Sequence, residues 1–345
     1  MSYCSHTQYP VGQGGLHLGI IGDVAYIYDC GYYRGSKVDW NEVKQDVIAQ
    51  IQKCSTLHIF ISHFHTDHYN KLIDLLESIP QDKTNPLRII THYPKTTSVE
   101  KVVLLASYVS TENTDYYNEY YNLVVNNRHA KDDRLQLVLE DRSKTRRINI
   151  GDSNILFPYV TGFSTEEEKS IKHFLGVGSI EETLKHMESC DFALNICNKL
   201  KDLFKEQKHI TNKIMLCLYC GSKTIDHLPM CCPCLIGQIP YCRYKWTNWL
   251  HTGDAFMDSD EALDGFVKHY GILLQNVQIL QIPHHGSAAS HDKSFLSIFY
   301  PERHSMLLYY TWHKDGNAKP KITDIMCNAH NIHLVSDNPN TKLKI

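Results

Sequence analysis

Within six residues, His63-Phe64-His65-Thr66-Asp67-His68, the chain places three imidazoles and one carboxylate directly after the apolar run 57–61. A run of that length and character reads as a buried strand, so these groups arrive where the backbone leaves the sheet. His63 and His65 are two apart, so on extended backbone they point to one side and can grip one cation. Asp67 and His68 follow on the turn, within reach of a second. Histidine combined with carboxylate suits zinc and related divalent ions, and incomplete protein ligation leaves room for water. A plain surface cluster of histidines has no reason to follow a buried strand.

Three further segments fit the same scheme. Val11-Gly12-Gln13-Gly14 precedes Ala25-Tyr26-Ile27-Tyr28-Asp29-Cys30-Gly31. Later come Leu250-His251-Thr252-Gly253-Asp254 and then Leu280-Gln281-Ile282-Pro283-His284-His285-Gly286-Ser287, followed by Ser290. In this order, with His-x-His-x-Asp-His, they resemble the metallo-β-lactamase fold family, and within it the ComEC type, the hydrolase domain of DNA-uptake proteins and of many free-standing hydrolases. The segment 332–337 stands where that subfamily has its last strand and a terminal Asp, here Asp337. The resemblance spans nearly the whole chain. It implies an α/β fold, a four-layer αββα sandwich, as one hydrolase domain over 1–345. It also implies two divalent ions, zinc or manganese, held by His63, His65, Asp67, His68, Asp254 and His284. Asp254 would bridge them. Asp67, His285 and Lys319 would be the catalytic groups, although His284 and His285 are interchangeable as ligand and phosphate donor on sequence alone.

The chemistry expected of such a pair is hydrolysis by water of lowered pKa, attacking phosphorus or a carbonyl carbon. The metals would also neutralise charge on the transition-state oxygens. No Ser or Cys nucleophile is required; Ser287 reads either as a phosphate donor or as a cap. The leading expectation is a phosphodiesterase acting on DNA or RNA. A hydrolase of a small phosphodiester, nucleotide or lactone is the second, and a non-catalytic regulatory module with a degenerate metal site the third. Departures from the ComEC pattern bear on the choice. Pro10 stands where an Asp usually precedes Val-Gly-Gln-Gly. Lys319, in the stretch 316–320, replaces the His of a Gly-His-Pro, with His313 nearby. Lys keeps a positive charge for phosphate but is a poor proton donor near neutrality. A third imidazole for the first metal is not evident, because His173 and His186 fall in helical stretches.

Composition narrows the setting. The 345 residues suffice for one large α/β domain with a substantial core. No apolar run approaches the roughly 20 residues of a membrane helix, and residues 1–10 are polar without a secretory pattern. A soluble, cytoplasmic protein is therefore expected, with its 12 cysteines free or on metal. Five of them, Cys220, Cys231, Cys232, Cys234 and Cys242, lie in an insertion near 220–245, and Cys220, Cys231, Cys234 and Cys242 form a candidate structural zinc site. The formal net charge of −3 gives nucleic-acid binding no general help. Arg142, Lys144, Arg146 and Arg147 are the densest cationic cluster, read as a solvated loop rather than a phosphate track.

Periodicity predicts strands over 16–30 around Gly22-Asp23, and at 57–62, 88–91, 135–139, 147–150, 155–159, 214–219, 246–251, 277–282, 306–311 and 332–336. Helices are expected over 68–78, within an insertion near 95–130, over 165–175 and 180–189, after 192, near 260–270 and near 320–330. Ser164-x-x-Glu167 and Ser179-x-x-Glu182 are capping boxes. Tyr116, Tyr117, Tyr120 and Tyr121 form a stripe read as a packing face rather than a base-stacking surface. No internal sequence repeat is visible.

Overall fold

The computed structural model describes residues 4–12, 14–33, 36–80, 86–111, 117–126, 135–144, 146–176, 178–206, 210–224, 248–257, 259–287, 290, 295, 297–299, 306–311 and 332–345. Two seven-stranded sheets face each other, with helices on both outer faces, giving the four αββα layers.

The first sheet contains β1 (Cys4–Gln8), β2 (Leu16–Ile21), β3 (Val24–Cys30), β4 (Thr56–Phe60), β5 (Arg88–Pro94), β6 (Leu135–Glu140) and β14 (Leu343–Lys344), ordered β14-β1-β2-β3-β4-β5-β6. The second contains β7 (Ile148–Ile150), β8 (Asn154–Val160), β9 (Leu216–Ser222), β10 (Trp249–His251), β11 (Ile279–Gln281), β12 (Leu307–Thr311) and β13 (Ile332–Val335), ordered β13-β12-β11-β10-β9-β8-β7. From β14 to β3 each neighbour is antiparallel, and from β3 to β6 parallel. From β7 to β10 each neighbour is antiparallel, and from β10 to β13 parallel. The two sheets thus repeat one pattern of strand directions without a repeat in sequence. In it β3 corresponds to β10, and β4 to β11.

Alternation sorts the side chains into layers. Tyr26, Tyr28 and Phe60 meet Leu156, Leu216, Leu218 and Cys220 between the sheets. The outer face of the first sheet packs on α1 (Trp40–Ile51), α3 (Leu72–Ser78), α4 (Ser98–Thr111), α5 (Tyr117–Val124), α6 (Thr165–Leu175), α7 (Ile180–His186) and α8 (Cys190–Glu206). The outer face of the second packs on α9 (Asp260–Tyr270). Ser164 and Glu167 form the full reciprocal capping box at α6; at α7 the Ser179 side chain accepts from Glu182 N–H.

Three elements, α1, β1 and β14, were not expected, and one expected helix is broken. α1 carries Trp40, Val43, Val47 and Ile51 on one buried face behind an Asp39 cap. β1 is polar yet buried, and pairs with β2 and β14. The single helix expected over 68–78 is broken: α2 (Thr66–Tyr69) ends before α3 begins. The Asn70 side chain is spent on the backbone of Tyr32, and Lys71 N–H donates to Cys30 O, which ties this turn to the end of β3. The tyrosine stripe is a packing face: Tyr117, Tyr120 and Tyr121 are buried, with Tyr120 stacked on Tyr108 at 3.9 Å. Tyr116 and the helix expected near 320–330 lie outside the described residues.

Candidate metal centre

The ends of β3 and β4 in one sheet meet those of β10 and β11 in the other. β4 delivers His63 and His65, and α2 follows at once with Asp67 and His68. β10 delivers Asp254 and β11 delivers His284 and His285. Close approach of these turns is sterically enforced. A Cβ on Gly31 would lie 1.6 Å from the Asp67 carbonyl oxygen, and Gly253 adopts φ +53° against Ser62 and Tyr28. Among the described residues the non-glycine positions with positive φ are Asp29, His284 and His285, all of them here. Backbone strain of this kind persists where the surroundings over-determine it.

The groups gather into two sets of metal-competent atoms, each within 4.8 Å: His63, His65 and Asp254; and Asp67, His68 and His285. Asp254 stands between them. Its Oδ2 lies 3.9 Å from His63 Nε2, and its Oδ1 lies 3.7 Å from His68 Nε2 and 3.3 Å from His285 Nε2. His284, expected among the ligands, falls outside both sets, with Nε2 3.9 Å from Asp254 Oδ2. His285, expected as a catalytic group, sits inside the second.

One nitrogen of each imidazole is anchored away from the centre. His63 Nδ1–H donates to Ser62 Oγ (2.9 Å), whose own hydrogen goes to Asp29 Oδ2 (2.8 Å). His68 Nδ1–H donates to Asp29 Oδ2 (2.7 Å), His285 Nδ1–H to Thr311 Oγ1 (3.1 Å) and His65 Nε2–H to Thr211 Oγ1 (2.8 Å), while His284 Nδ1 accepts from Ser290 Oγ–H (2.5 Å). With those tautomers the remaining nitrogens of His63, His65 and His285 present lone pairs inward, and His68 Nε2 would do so once an ion displaces its proton, which is how outer partners prepare histidine for metal.

The electrostatics suit a cation. Burial foremost, reinforced by the neighbouring His68 and His65, drives His63 well below its ordinary range, so it is neutral. Burial opposes charge on His68, yet Asp29, Asp67 and Asp254 overcome it and raise this group to about 10. Burial likewise opposes charge on Asp254, and the imidazoles of His285, His68 and His63 more than reverse it, holding the carboxyl well below the usual range. Burial raises Asp29, against the hydrogen bonds from His68 and Ser62. Two observations test the fit of a divalent ion. His68 Nε2 is buried with no hydrogen-bond partner among the described residues, and His63 Nε2 faces His65 Nδ1 at 2.8 Å, an approach of two ring nitrogens that needs a proton or cation. The residues fit.

Of the supporting shell, sequence reasoning marked Asp29 and Ser290 within the family-like segments without giving them this role, and assigned no role to Ser62, Thr211, Asn212 or Thr311. Asp29 carried a legible signal, an Asp ending an otherwise apolar strand. Thr211 and Asn212 sit in the 3-10 turn Ile210–Lys213, held by the salt bridge of Lys213 with Glu167 on α6, and nothing local marks them. His173 and His186 are exposed, away from the centre.

Other expected groups stand elsewhere. Cys220 is buried in β9 facing the other sheet, and Cys217, three residues earlier, packs on the outer face, so this pair cannot share an ion. Cys231, Cys234, Cys242, Lys319 and His313 lie outside the described residues. Asp337 follows β13, two residues beyond its end, and is buried. Of the cationic cluster, Arg142 pairs with buried Glu100 and donates to Phe163 O, and Arg147 lies over the Phe157 ring at 4.7 Å.

No family model matches the chain, and no curated protein does. The chain is similar to several solved structures at low identity. The metallo-β-lactamase fold protein YhfI from Bacillus subtilis is 10% identical, with 99% of each chain covered and a TM-score of 0.43. The short form of human tRNase Z is 13% identical over 89% of this chain and 92% of its own, at 0.39. A long-form RNase Z from yeast is 9% identical over 90% of this chain and 36% of its own, at 0.41. Among the described residues no helix is long and apolar enough to cross a membrane.

Proposed function

We propose that the chain is a dinuclear metal-dependent hydrolase that cleaves phosphodiester bonds, with DNA or RNA as its substrate. The observation that carries this reading is Asp254, whose two oxygens address two separate sets of ligand atoms. His63, His65 and Asp254 would hold one ion, and Asp67, His68, His285 and Asp254 the other, zinc or manganese by donor type. Bound there, the pair would supply Lewis acidity and water of lowered pKa. The chain's own part is orientation. Ser62, Asp29, Thr311 and Thr211 fix the imidazoles. Asp67, less buried than its neighbours, is placed to accept a hydrogen bond from the attacking water. His284, partly open to solvent and with Nδ1 accepting from Ser290 Oγ–H, would keep its proton on Nε2 and donate it to a phosphate oxygen or the leaving group. Nucleic acid as the substrate rests on the ordered ComEC-type segments.

A second reading, a small phosphodiester or nucleotide, is favoured by the formal charge of −3 and by the engagement of Arg142 and Arg147 in internal contacts. The test is cleavage of single-stranded DNA, duplex DNA, RNA and bis-nitrophenyl phosphate with zinc or manganese, comparing wild type with Asp67→Ala/His68→Ala. Polymer cleavage lost in the variant supports the nuclease. Cleavage of the small ester alone supports the second reading, and no cleavage by metal-loaded protein contradicts both.

A further inference from the structure

The two ligand sets are unequal in a way that points to a missing member. The second has His68, His285 and Asp67 besides Asp254; the first has only His63 and His65. The gap is on the side of the turn Ile210–Lys213. There Asn212 is 1% exposed, its Nδ2 lies 3.5 Å from Asp254 Oδ2, the oxygen that faces the first set, and its Oδ1 is buried without a hydrogen-bond partner among the described residues. A buried amide oxygen left unsatisfied is destabilising, and such a group in a native fold calls for an explanation. Its neighbour Thr211 already holds His65 by Nε2, so the same turn touches the first set twice.

We infer that Asn212 is the fourth protein ligand of the first ion, binding through Oδ1. This deepens the proposed metal centre and rests on it. Both ions then have two imidazole nitrogens and two oxygens from the protein, and the two halves of the centre match in donors as the two sheets match in strand direction. The chemical consequence is a harder first site than one with three imidazoles, because amide and carboxylate oxygens suit manganese and magnesium where imidazole suits zinc.

The experiment is calorimetric titration of Mn2+ into metal-stripped protein, comparing wild type, Asn212→Ala and Asn212→Asp, with unfolding midpoints of the stripped proteins alongside. Wild type is expected to take two ions. Asn212→Ala should weaken one by at least about tenfold, the scale on which lost support acts at metal centres, and leave the other unchanged. Asn212→Asp, which keeps an oxygen in place, should bind both at least as tightly as wild type. Wild-type affinities in the alanine variant would overturn the inference. So would an aspartate variant as weak as alanine, since the working group would then be the amide N–H beside Asp254. Should the alanine variant fail to fold, the near-isosteric aspartate variant decides alone. A wild type that takes no ion at all would refute the metal centre itself, a distinct outcome from two ions with an indifferent Asn212.

Discussion

Replacing Asp29 by Asn separates the fold from the metal centre. The Asp29 carboxylate is fully buried and accepts three hydrogen bonds, from Ser62 N–H (2.7 Å), Ser62 Oγ–H (2.8 Å) and His68 Nδ1–H (2.7 Å). Asparagine has the same shape. Its Oδ1 can keep the Ser62 amide, but its NH2 then faces His68 Nδ1. For that contact to be a hydrogen bond the imidazole must turn acceptor at Nδ1 and carry its proton on Nε2, the nitrogen that faces Asp67 and Asp254. The lone pair required by an ion is gone. The loss of a charge-assisted bond, about 1.5–3 kcal/mol, is offset by no longer burying a carboxylate whose ionisation burial already opposes. The stripped variant should therefore unfold within about 2 kcal/mol of wild type. Affinity for the second ion should fall by about 10- to 100-fold, the usual effect of removing a ligand's outer partner, or about 1.4–2.8 kcal/mol. Calorimetric titration with Zn2+ and a denaturant curve on the same preparations measure both. Second-site affinity within twofold of wild type would refute the tautomer argument.

Other predictions follow from single contacts. Gly31→Ala forces a Cβ onto the Asp67 carbonyl and should displace α2, costing about 1–3 kcal/mol of stability by overpacking together with weaker binding of the second ion; unchanged denaturant midpoint would contradict it. Glu100→Ala strips buried partners from Arg142, Phe163 N–H and Thr97 N–H and should cost about 3–5 kcal/mol, read from the same midpoint. Burial lowers His6 and His58 to about 3, and drives His17 and His251 well below their ordinary value. The unfolded chain therefore binds protons below about pH 6.5 that the folded one refuses. Stability should fall as pH drops from about 6.5 toward 3, at up to about 1.4 kcal/mol per pH unit for each of these histidines, and, with no ion bound, fall again as pH rises from about 6.5 toward 10, where only folded His68 keeps its proton. Equal unfolding free energies at pH 7.5 and 5 in the presence of chelator would refute it.

Which features were legible follows from how local they are. His63 to His68 could be read because one strand end carries them all, and Asp254 and His285 because each ends an apolar strand beside glycine. The supporting residues could not. Thr211, Asn212, Ser290 and Thr311 are ordinary polar residues whose role comes from where the second sheet and the α6–α8 helices set them down. β1 is not legible in the sequence because its polar residues read as exposed. His6 is buried between the sheets, stacked on Trp249 at 5.1 Å and within 3.2 Å of Tyr26 Oη, so a polar strand lies in the interior through partners distant in sequence. α1, by contrast, is legible, with apolar residues at helical spacing behind Asp39. The order of Asp67 in one set and Asp254 between two needed the sheets to meet, which no local pattern encodes.

The central claim is a centre for two ions joined by Asp254. The direct test is the number of divalent ions retained per chain, measured by plasma emission after gel filtration, for wild type and Asp254→Ala. Two ions in wild type and marked loss of both in the variant are predicted, because the variant removes an oxygen from each set. Two ions retained by Asp254→Ala, or none in wild type under zinc and manganese loading, would contradict the account.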